Sequence, residues 1–193
     1  MSLYNYQDLL RKYQRSVTFT GDYRESEYAK KMLIQYAESF EFTKTYDIFL
    51  SHSYDDARII KALRDEITEM NYEVYVDWIE DPKLDRERVS KNNALLLRNR
   101  MRRCKCLFYA TSDSAEKSIW MPWELGFMDS HTRKVAIVPI LDLPSSSDDY
   151  KGREYLGIYP YIEKSVGALF VHESEKKWIG FRSWLEGKEP EEH

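Results

Sequence analysis

The sequence lacks the features that mark several common classes of protein. It contains only seven glycines, and no loop has the glycine spacing of a P-loop or of a GxGxxG dinucleotide motif. No segment approaches the roughly 18 uninterrupted apolar residues of a membrane-spanning helix. The N-terminal residues carry no apolar signal-peptide core. We therefore expect a cytoplasmic protein that makes no contact with a membrane.

Metal and disulfide chemistry find little support either. Cys104 and Cys106 stand two residues apart in an apolar run, where strand geometry points them to opposite faces of a sheet. The four histidines offer no second ligand pair at the spacing of a zinc site. We expect reduced cysteines, no bound metal and no resident cofactor.

The charge balance does not favour a nucleic-acid partner, because the net charge is −4. One local cluster is basic. It is typical first of a solvated helix face, and second of a phosphate contact. Its members are Arg98, Arg100, Arg102, Arg103 and Lys105.

Strand and helix patterns alternate along most of the chain, whose length suits one domain with a short extension. The predicted strands are Tyr46–Leu50, Tyr72–Val76, Cys104–Ala110, Val135–Leu141 and Val166–Val171. The predicted helices between and after them are Asp55–Met70, one that ends at Arg103, Trp120–His131 and Ser174–Leu185. This alternation predicts an α/β fold with a five-stranded parallel sheet covered on both faces.

Both ends of the chain lie outside this alternation. The residues from Leu3 to Phe42 have the apolar spacing of two helices, and a surface loop is predicted from Leu143 to Gly157. We therefore predict an N-terminal helical extension over residues 1–44 that packs on the core, a main domain over 45–186 and a mobile charged tail over 187–193.

Polar residues follow the predicted strands, at the edge where open parallel sheets bind ligands. The first strand delivers Ser51, His52, Ser53 and Tyr54, and the second delivers Asp77 and Trp78. The third is followed by Thr111 and Ser112 and then by the segment from Ser118 to Glu124.

Two of these segments resemble the motifs of TIR domains. The stretch from Thr45 to Ser53 (TYDIFLSHS) resembles the family's first box, and Trp120 to Leu125 (WMPWEL) resembles its W-x-x-x-E segment. The likeness runs from about Tyr46 to Leu141, while the loop from Asp77 to Arg86 lacks the glycine of many members. The resemblance implies a flavodoxin-like, doubly wound TIR fold with extra N-terminal helices, closest to stand-alone bacterial members of the Thoeris anti-phage type.

The same resemblance implies NAD⁺ as substrate and Glu124 as the catalytic carboxylate. Loss of nicotinamide leaves an oxocarbenium-like ribose, which one fixed carboxylate stabilises; nicotinamide departs neutral, so no strong general acid is required. The alternative for Glu124 is structural, since a glutamate in the first turn of a helix meets the helix dipole favourably. From spacing alone the structural role is the stronger of the two.

The remaining candidates are predicted to bind substrate. A Ser51, His52 and Asp77 triad is disfavoured because neighbouring strand residues point to opposite sides. We expect Ser51, His52 and Tyr54 to bond ribose or phosphate, with Asp77 holding a ribose hydroxyl or pinning its loop. Trp78 would stack on a base, and Trp120 would stack on a ring or exclude water. Ser118 completes the predicted set, and helix capping and packing are the alternative roles.

Three functions follow from these patterns. The first is an NAD⁺ glycohydrolase, or ADP-ribosyl cyclase or transferase, whose product signals to an effector protein, with self-assembly into a homo-oligomer on activation. The second is a non-catalytic TIR scaffold that signals by self-assembly. The third is an enzyme similar to nucleoside deoxyribosyltransferases.

Overall fold

The computed structural model describes residues 1–18, 44–82, 84, 89–112, 115–141 and 154–193. The second predicted N-terminal helix and most of the predicted loop from Leu143 to Gly157 lie outside these ranges. The last part of that loop is described, and it forms a 3₁₀ helix over Glu154–Ile158.

A mixed sheet forms the centre of the molecule, and its middle strands are parallel, as predicted. These are β2 (Tyr46–Ser51), β3 (Val74–Tyr75), β4 (Cys104–Thr111), β5 (Val135–Leu141) and β6 (Tyr161–Ser165). They lie in the order β3-β2-β4-β5-β6, with parallel pairing throughout. Strand order therefore reverses at β2, which places the ligand-binding edge of such a sheet beside the end of that strand.

Helices cover both faces of these strands, which explains why the strands are apolar along nearly their whole length. Ile48 and Leu50 of β2 face one apolar cluster, and Phe49 faces the other. The first cluster is covered by α1 (Tyr6–Thr18), α2 (Ala57–Glu69) and α6 (Phe181–Leu185). The second is covered by α4 (Lys91–Met101) and α5 (Trp120–Thr132), while a single-turn helix, α3 (Asp77–Glu80), follows β3.

The C-terminal part of the sheet differs from the prediction. The fifth parallel strand is Tyr161–Ser165 rather than Val166–Val171, and a turn at Gly167 (φ 70°) leads into antiparallel β7 (Ala168–Ser174). The prediction of a helix over Ser174–Leu185 was wrong in its first half, where Ser174 ends β7 and Lys177–Gly180 form β8. The three-residue spacing of Trp178, Phe181 and Trp184 imitates a helix, although the first of these residues lies in a strand.

The last residues, for which a mobile tail over 187–193 is predicted, pair with the sheet. Glu191–Glu192 form β9 and pair with Lys177 and Trp178 of β8. The His193 ring stacks on Trp178 with 3.9 Å between ring centroids. The division of the chain at residues 44 and 186 stays a prediction.

The N-terminus is also built into the sheet. A short strand, β1 (Tyr4–Asn5), pairs in parallel with Ile140 and Leu141 at the end of β5. Ser2 exchanges two backbone hydrogen bonds with Lys164 of β6, at 2.8 and 2.9 Å. Tyr4 and Leu9 are buried in the first apolar cluster. Among the residues described, no helix combines the length and the apolar character needed to cross a bilayer.

Candidate active site

The site begins with a hydrogen bond between Ser51 and Glu124. Ser51 is the last residue of β2, and its Oγ donates to Oε2 of Glu124 at 2.6 Å. Both side chains are 0% exposed. A buried carboxylate loses its hydration and needs polar partners in compensation. Strand β2 and helix α5, 73 residues apart in sequence, therefore meet through a polar contact at the sheet edge.

Helix α5 presents Glu124 because of where the helix begins. The helix starts at Trp120, and the Ser118 Oγ accepts a hydrogen bond from the Met121 N–H at 3.3 Å. Pro122 lies in the first turn, where its missing N–H costs nothing. Glu124 therefore lies in the second turn rather than the first, and its carboxylate contacts Ser51. This position removes much of the force of the dipole explanation.

Trp120 lies one turn before Glu124 and is also buried. Its indole belongs to the second apolar cluster and meets Trp123 edge to face, with ring centroids 5.6 Å apart. The ring therefore forms part of the apolar wall of this edge.

His52 and Asp77 make a second buried polar contact at the same edge. The His52 Nε2 lies 3.5 Å from Oδ1 of Asp77, and the side chains are 1% and 2% exposed. His52 Nδ1 lies 2.9 Å from the Leu50 carbonyl oxygen, and Asp77 accepts from the Trp78 N–H at 2.8 Å. Because Ser51 donates to Glu124 and His52 faces Asp77, the arrangement is not that of a hydrolytic triad.

The other predicted binding residues are placed less directly. Tyr54 is 61% exposed on the short 3₁₀ turn before α2. Trp78 is half-buried and packs against the first apolar cluster, so it contributes to the core as well as being a candidate for binding. Ser118 is half-buried, and its Oγ accepts a hydrogen bond from the first turn of α5. The described contacts thus join Ser51 to Glu124 and His52 to Asp77, and they leave Tyr54 at the rim.

Sequence reasoning missed a second hydroxyl–carboxylate contact. Ser112, just past the end of β4, donates to Oδ2 of Asp56, which is buried before α2. In the sequence, Asp55 and Asp56 are typical of acidic residues at the N-terminal end of a helix. The only available signal was the position of Ser112 directly after a predicted strand.

The predicted basic helix face was wrong for Arg100. This side chain is 2% exposed and pairs with Asp81, with 2.8 Å between Nε and Oδ2. Residues two apart on a helix point in nearly opposite directions, so Arg98, Arg100 and Arg102 cannot share one solvated face.

A metal centre is not evident in the ranges that the structure covers, where no group of three or more His, Cys, Asp or Glu side chains converges. Both cysteines are buried and free of disulfides, and burial raises the pKa of each thiol well above its usual range.

Comparison with known proteins places this α/β protein in a family. No family model matches the chain. A protein of Bacillus cereus (strain MSX-D12), assigned as a probable 3′ cyclic ADP-D-ribose synthase, ThsB′, is 45% identical over 192 residues, covering 96% of this chain and 99% of the relative. A protein of Cytobacillus dafuensis, assigned as a candidate cyclic ADP-D-ribose synthase, TIR2, is 33% identical over 85 residues, 44% of this chain and 22% of that protein. The chain belongs to the TIR-domain family, with ThsB′ as a relative along nearly its whole length.

Proposed function

We propose that this protein cleaves the bond between nicotinamide and ribose in NAD⁺ and closes the remaining ADP-ribose into a cyclic signalling nucleotide, in anti-phage defence of the Thoeris type. The full-length similarity to a cyclic ADP-ribose synthase supports the reaction class. The observation that carries the proposal to this chain is the buried carboxylate of Glu124, held by Ser51 at the carboxyl edge of the sheet.

Glu124 is the catalytic residue in this proposal. The C1′–N1 bond of the nicotinamide riboside breaks, both electrons leave with nicotinamide, and positive charge develops on the ribose. A carboxylate beside that carbon stabilises the charge, and more strongly in a buried site than in water. The Ser51 hydroxyl fixes the orientation of the carboxylate through one of its two oxygens.

Ring closure needs an acceptor atom in the adenosine half of the same molecule. The acceptor's lone pair forms the new bond to the ribose carbon, and an acceptor hydroxyl loses its proton, for which Glu124 is the base at hand. The apolar wall that includes Trp120 keeps water away from the cation, which favours cyclisation over hydrolysis. Ser51, His52, Tyr54, Asp77, Trp78 and Ser118 are proposed to bind the dinucleotide around this point.

The burial of Glu124 also bears on activation. A side chain with no exposed surface cannot contact a substrate until its surroundings rearrange. We propose that assembly into a homo-oligomer brings about this change, and that an effector protein senses the cyclic product. Residues 45–186 are proposed to form the catalytic unit, with residues 1–44 as an extension packed on it.

The decisive experiment measures products directly. Purified protein is incubated with NAD⁺ at several protein concentrations, with and without a crowding agent, and nicotinamide and cyclic ADP-ribose are quantified by mass spectrometry. Turnover is expected to rise more steeply than protein concentration, and Glu124→Gln is the matched control. Absence of nicotinamide under every condition would favour the non-catalytic scaffold. Base exchange on a deoxynucleoside would instead favour the deoxyribosyltransferase-like enzyme.

A further inference from the structure

The largest fully buried side chain among the described residues belongs to Arg100, which lies on α4 and outside the proposed catalytic edge. Its guanidinium grips Asp81 with two parallel hydrogen bonds, from Nε to Oδ2 at 2.8 Å and from Nη2 to Oδ1 at 3.0 Å. This two-pronged geometry orients a carboxylate more tightly than a single bond does. Asp81 is therefore fixed in both position and rotation.

Two tyrosines, on the neighbouring strands β2 and β3, hold the same segment. Tyr75 of β3 donates its hydroxyl to Oδ2 of Asp81 at 2.6 Å, and its ring stacks on Phe49 with 5.1 Å between centroids. Tyr46 of β2 donates to Oε2 of Glu80 at 2.9 Å. Burial raises the pKa of the Tyr75 hydroxyl, which stays a donor at any physiological pH. Glu80 and Asp81 are thus both tied to the strands, and Asp81 is tied to α4 as well.

The segment held in this way carries a proposed substrate-binding residue. Asp81 directly follows α3, and its N–H donates to the Asp77 carbonyl at 2.6 Å. A helix of one turn has almost no stability of its own. The position of Asp77 against His52 therefore depends on what holds the far end of this turn.

Stability alone is a weak explanation for such a contact. A buried ion pair repays its desolvation only in part, and well-packed apolar residues in its place are often as stable or more so. An apolar replacement of this pair would, however, no longer fix the position of the backbone at Asp81.

We propose that Arg100 is a positioning residue, which clamps Asp81 and so fixes Asp77 against His52 at the catalytic edge. It acts through Asp77 and does not itself touch substrate. The kinetic part of this inference rests on the proposed function; the structural part does not.

A double-mutant cycle on Arg100 and Asp77 tests the kinetic part. Arg100→Lys keeps the positive charge but cannot form the two parallel hydrogen bonds of the guanidinium. It should raise the KM for NAD⁺ about tenfold, with a smaller change in kcat. In the Asp77→Asn background the same change should alter KM by less than about twofold, because the two substitutions disturb one contact. Full additivity of the two effects would overturn the proposal.

A second variant guards against simple unfolding. Arg100→Met combined with Asp81→Asn removes both buried charges. The asparagine oxygen can still accept the hydrogen bond that the Tyr75 hydroxyl donates. We expect it to fold and to show the raised KM of Arg100→Lys; a folded variant with the wild-type KM would refute the positioning role. The matched control is Glu66→Gln, which removes a buried carboxylate held by Lys12 and Lys164, at 3.1 and 2.9 Å, on the other side of the molecule. Its KM should equal that of the wild type.

Hydrogen exchange gives an answer that needs no substrate. The amides of Ile79, Glu80 and Asp81 are hydrogen-bonded within this turn. They should exchange at least about tenfold faster in Arg100→Lys, while amides in β4 keep their wild-type rates. If the wild type released no nicotinamide, the proposed function would fail, and this measurement would still decide whether Arg100 holds the segment. Unchanged exchange in the turn would overturn the proposal.

Discussion

Two regions of the molecule each bury a histidine beside a carboxylate. At the proposed catalytic edge, where β2 and β3 end, His52 lies 3.5 Å from Asp77. In the antiparallel part of the sheet, His172 of β7 lies 3.7 Å from Glu163 of β6. All four side chains are at most 4% exposed. By residue type, distance and burial the two pairs are nearly the same.

Their surroundings differ. His172 lies between the rings of Tyr161 and Trp178, with centroids 5.3 and 6.0 Å away, inside a sheet of antiparallel strands. His52 lies beyond the end of β2, next to the residue that contacts Glu124. The comparison teaches that a buried ionisable pair does not by itself mark a site. What distinguishes the first pair is its position at the carboxyl ends of parallel strands, where open sheets of this kind bind ligands.

The largest expected effect belongs to Glu124. Glu124→Gln should reduce nicotinamide release about 1,000-fold, or about 4 kcal/mol in the barrier, because the charge that stabilises the ribose cation is removed. The amide oxygen can still accept from Ser51, so the melting temperature should equal or exceed that of the wild type. Activity within tenfold of the wild type would contradict the assignment.

A matched pair of substitutions tests the contrast itself. Asp77→Asn should lower kcat/KM for NAD⁺ about 10- to 100-fold, the range for loss of one hydrogen bond to a charged group. Glu163→Gln makes the same chemical change in the antiparallel region and should leave kcat/KM within about twofold. Steady-state kinetics on both variants measure the difference. Equal losses would mean that the two regions do not differ in function.

Trp120 should show a smaller effect. Replacing it with alanine would empty a buried position and cost about 3–5 kcal/mol of stability, so Trp120→Phe is the more informative change. We expect the KM for NAD⁺ to rise about two- to tenfold, as for weakening of one aromatic contact, and the ratio of hydrolysed to cyclic product to increase. The control is Trp123→Phe, which makes the same change at the neighbouring indole. If only Trp123→Phe changed the KM and the product ratio, Trp123 rather than Trp120 would be the aromatic residue of the site.

The smallest effect on activity is expected at His172, where the change should appear in stability. Burial lowers the pKa of His172 below its ordinary value of 6.5. The unfolded chain then binds this proton more readily than the folded one, so the free energy of unfolding falls as the pH drops below about 6.5. His172→Gln should flatten that dependence in denaturant titrations from pH 7.5 to pH 5 and leave turnover at pH 7.5 unchanged. An identical pH dependence in both proteins would contradict the burial of a neutral ring.

The parallel half of the fold could be predicted from sequence because each strand there is a separate apolar run followed by polar residues. The C-terminal hairpins could not, since Glu163 and Lys164 interrupt the fifth strand and the spacing of Trp178, Phe181 and Trp184 imitates a helix. Glu124 is predicted as a site residue through a motif, whereas its hydrogen-bond partner Ser51 lies 73 residues away and no local pattern connects the two. Arg100 resembled a surface residue because its buried partner, Asp81, belongs to another element.

The strand at the very beginning of the chain has a practical consequence for anyone who produces the protein. The N–H and the C=O of Ser2 are both hydrogen-bonded to the backbone of Lys164. Tyr4, with 1% of its surface exposed, pairs with Ile140. A purification tag joined at Met1 would lie one residue from the backbone pairing of Ser2 with β6. A spacer between the tag and Met1, or removal of the tag before assay, preserves the pairing of this segment with β5 and β6.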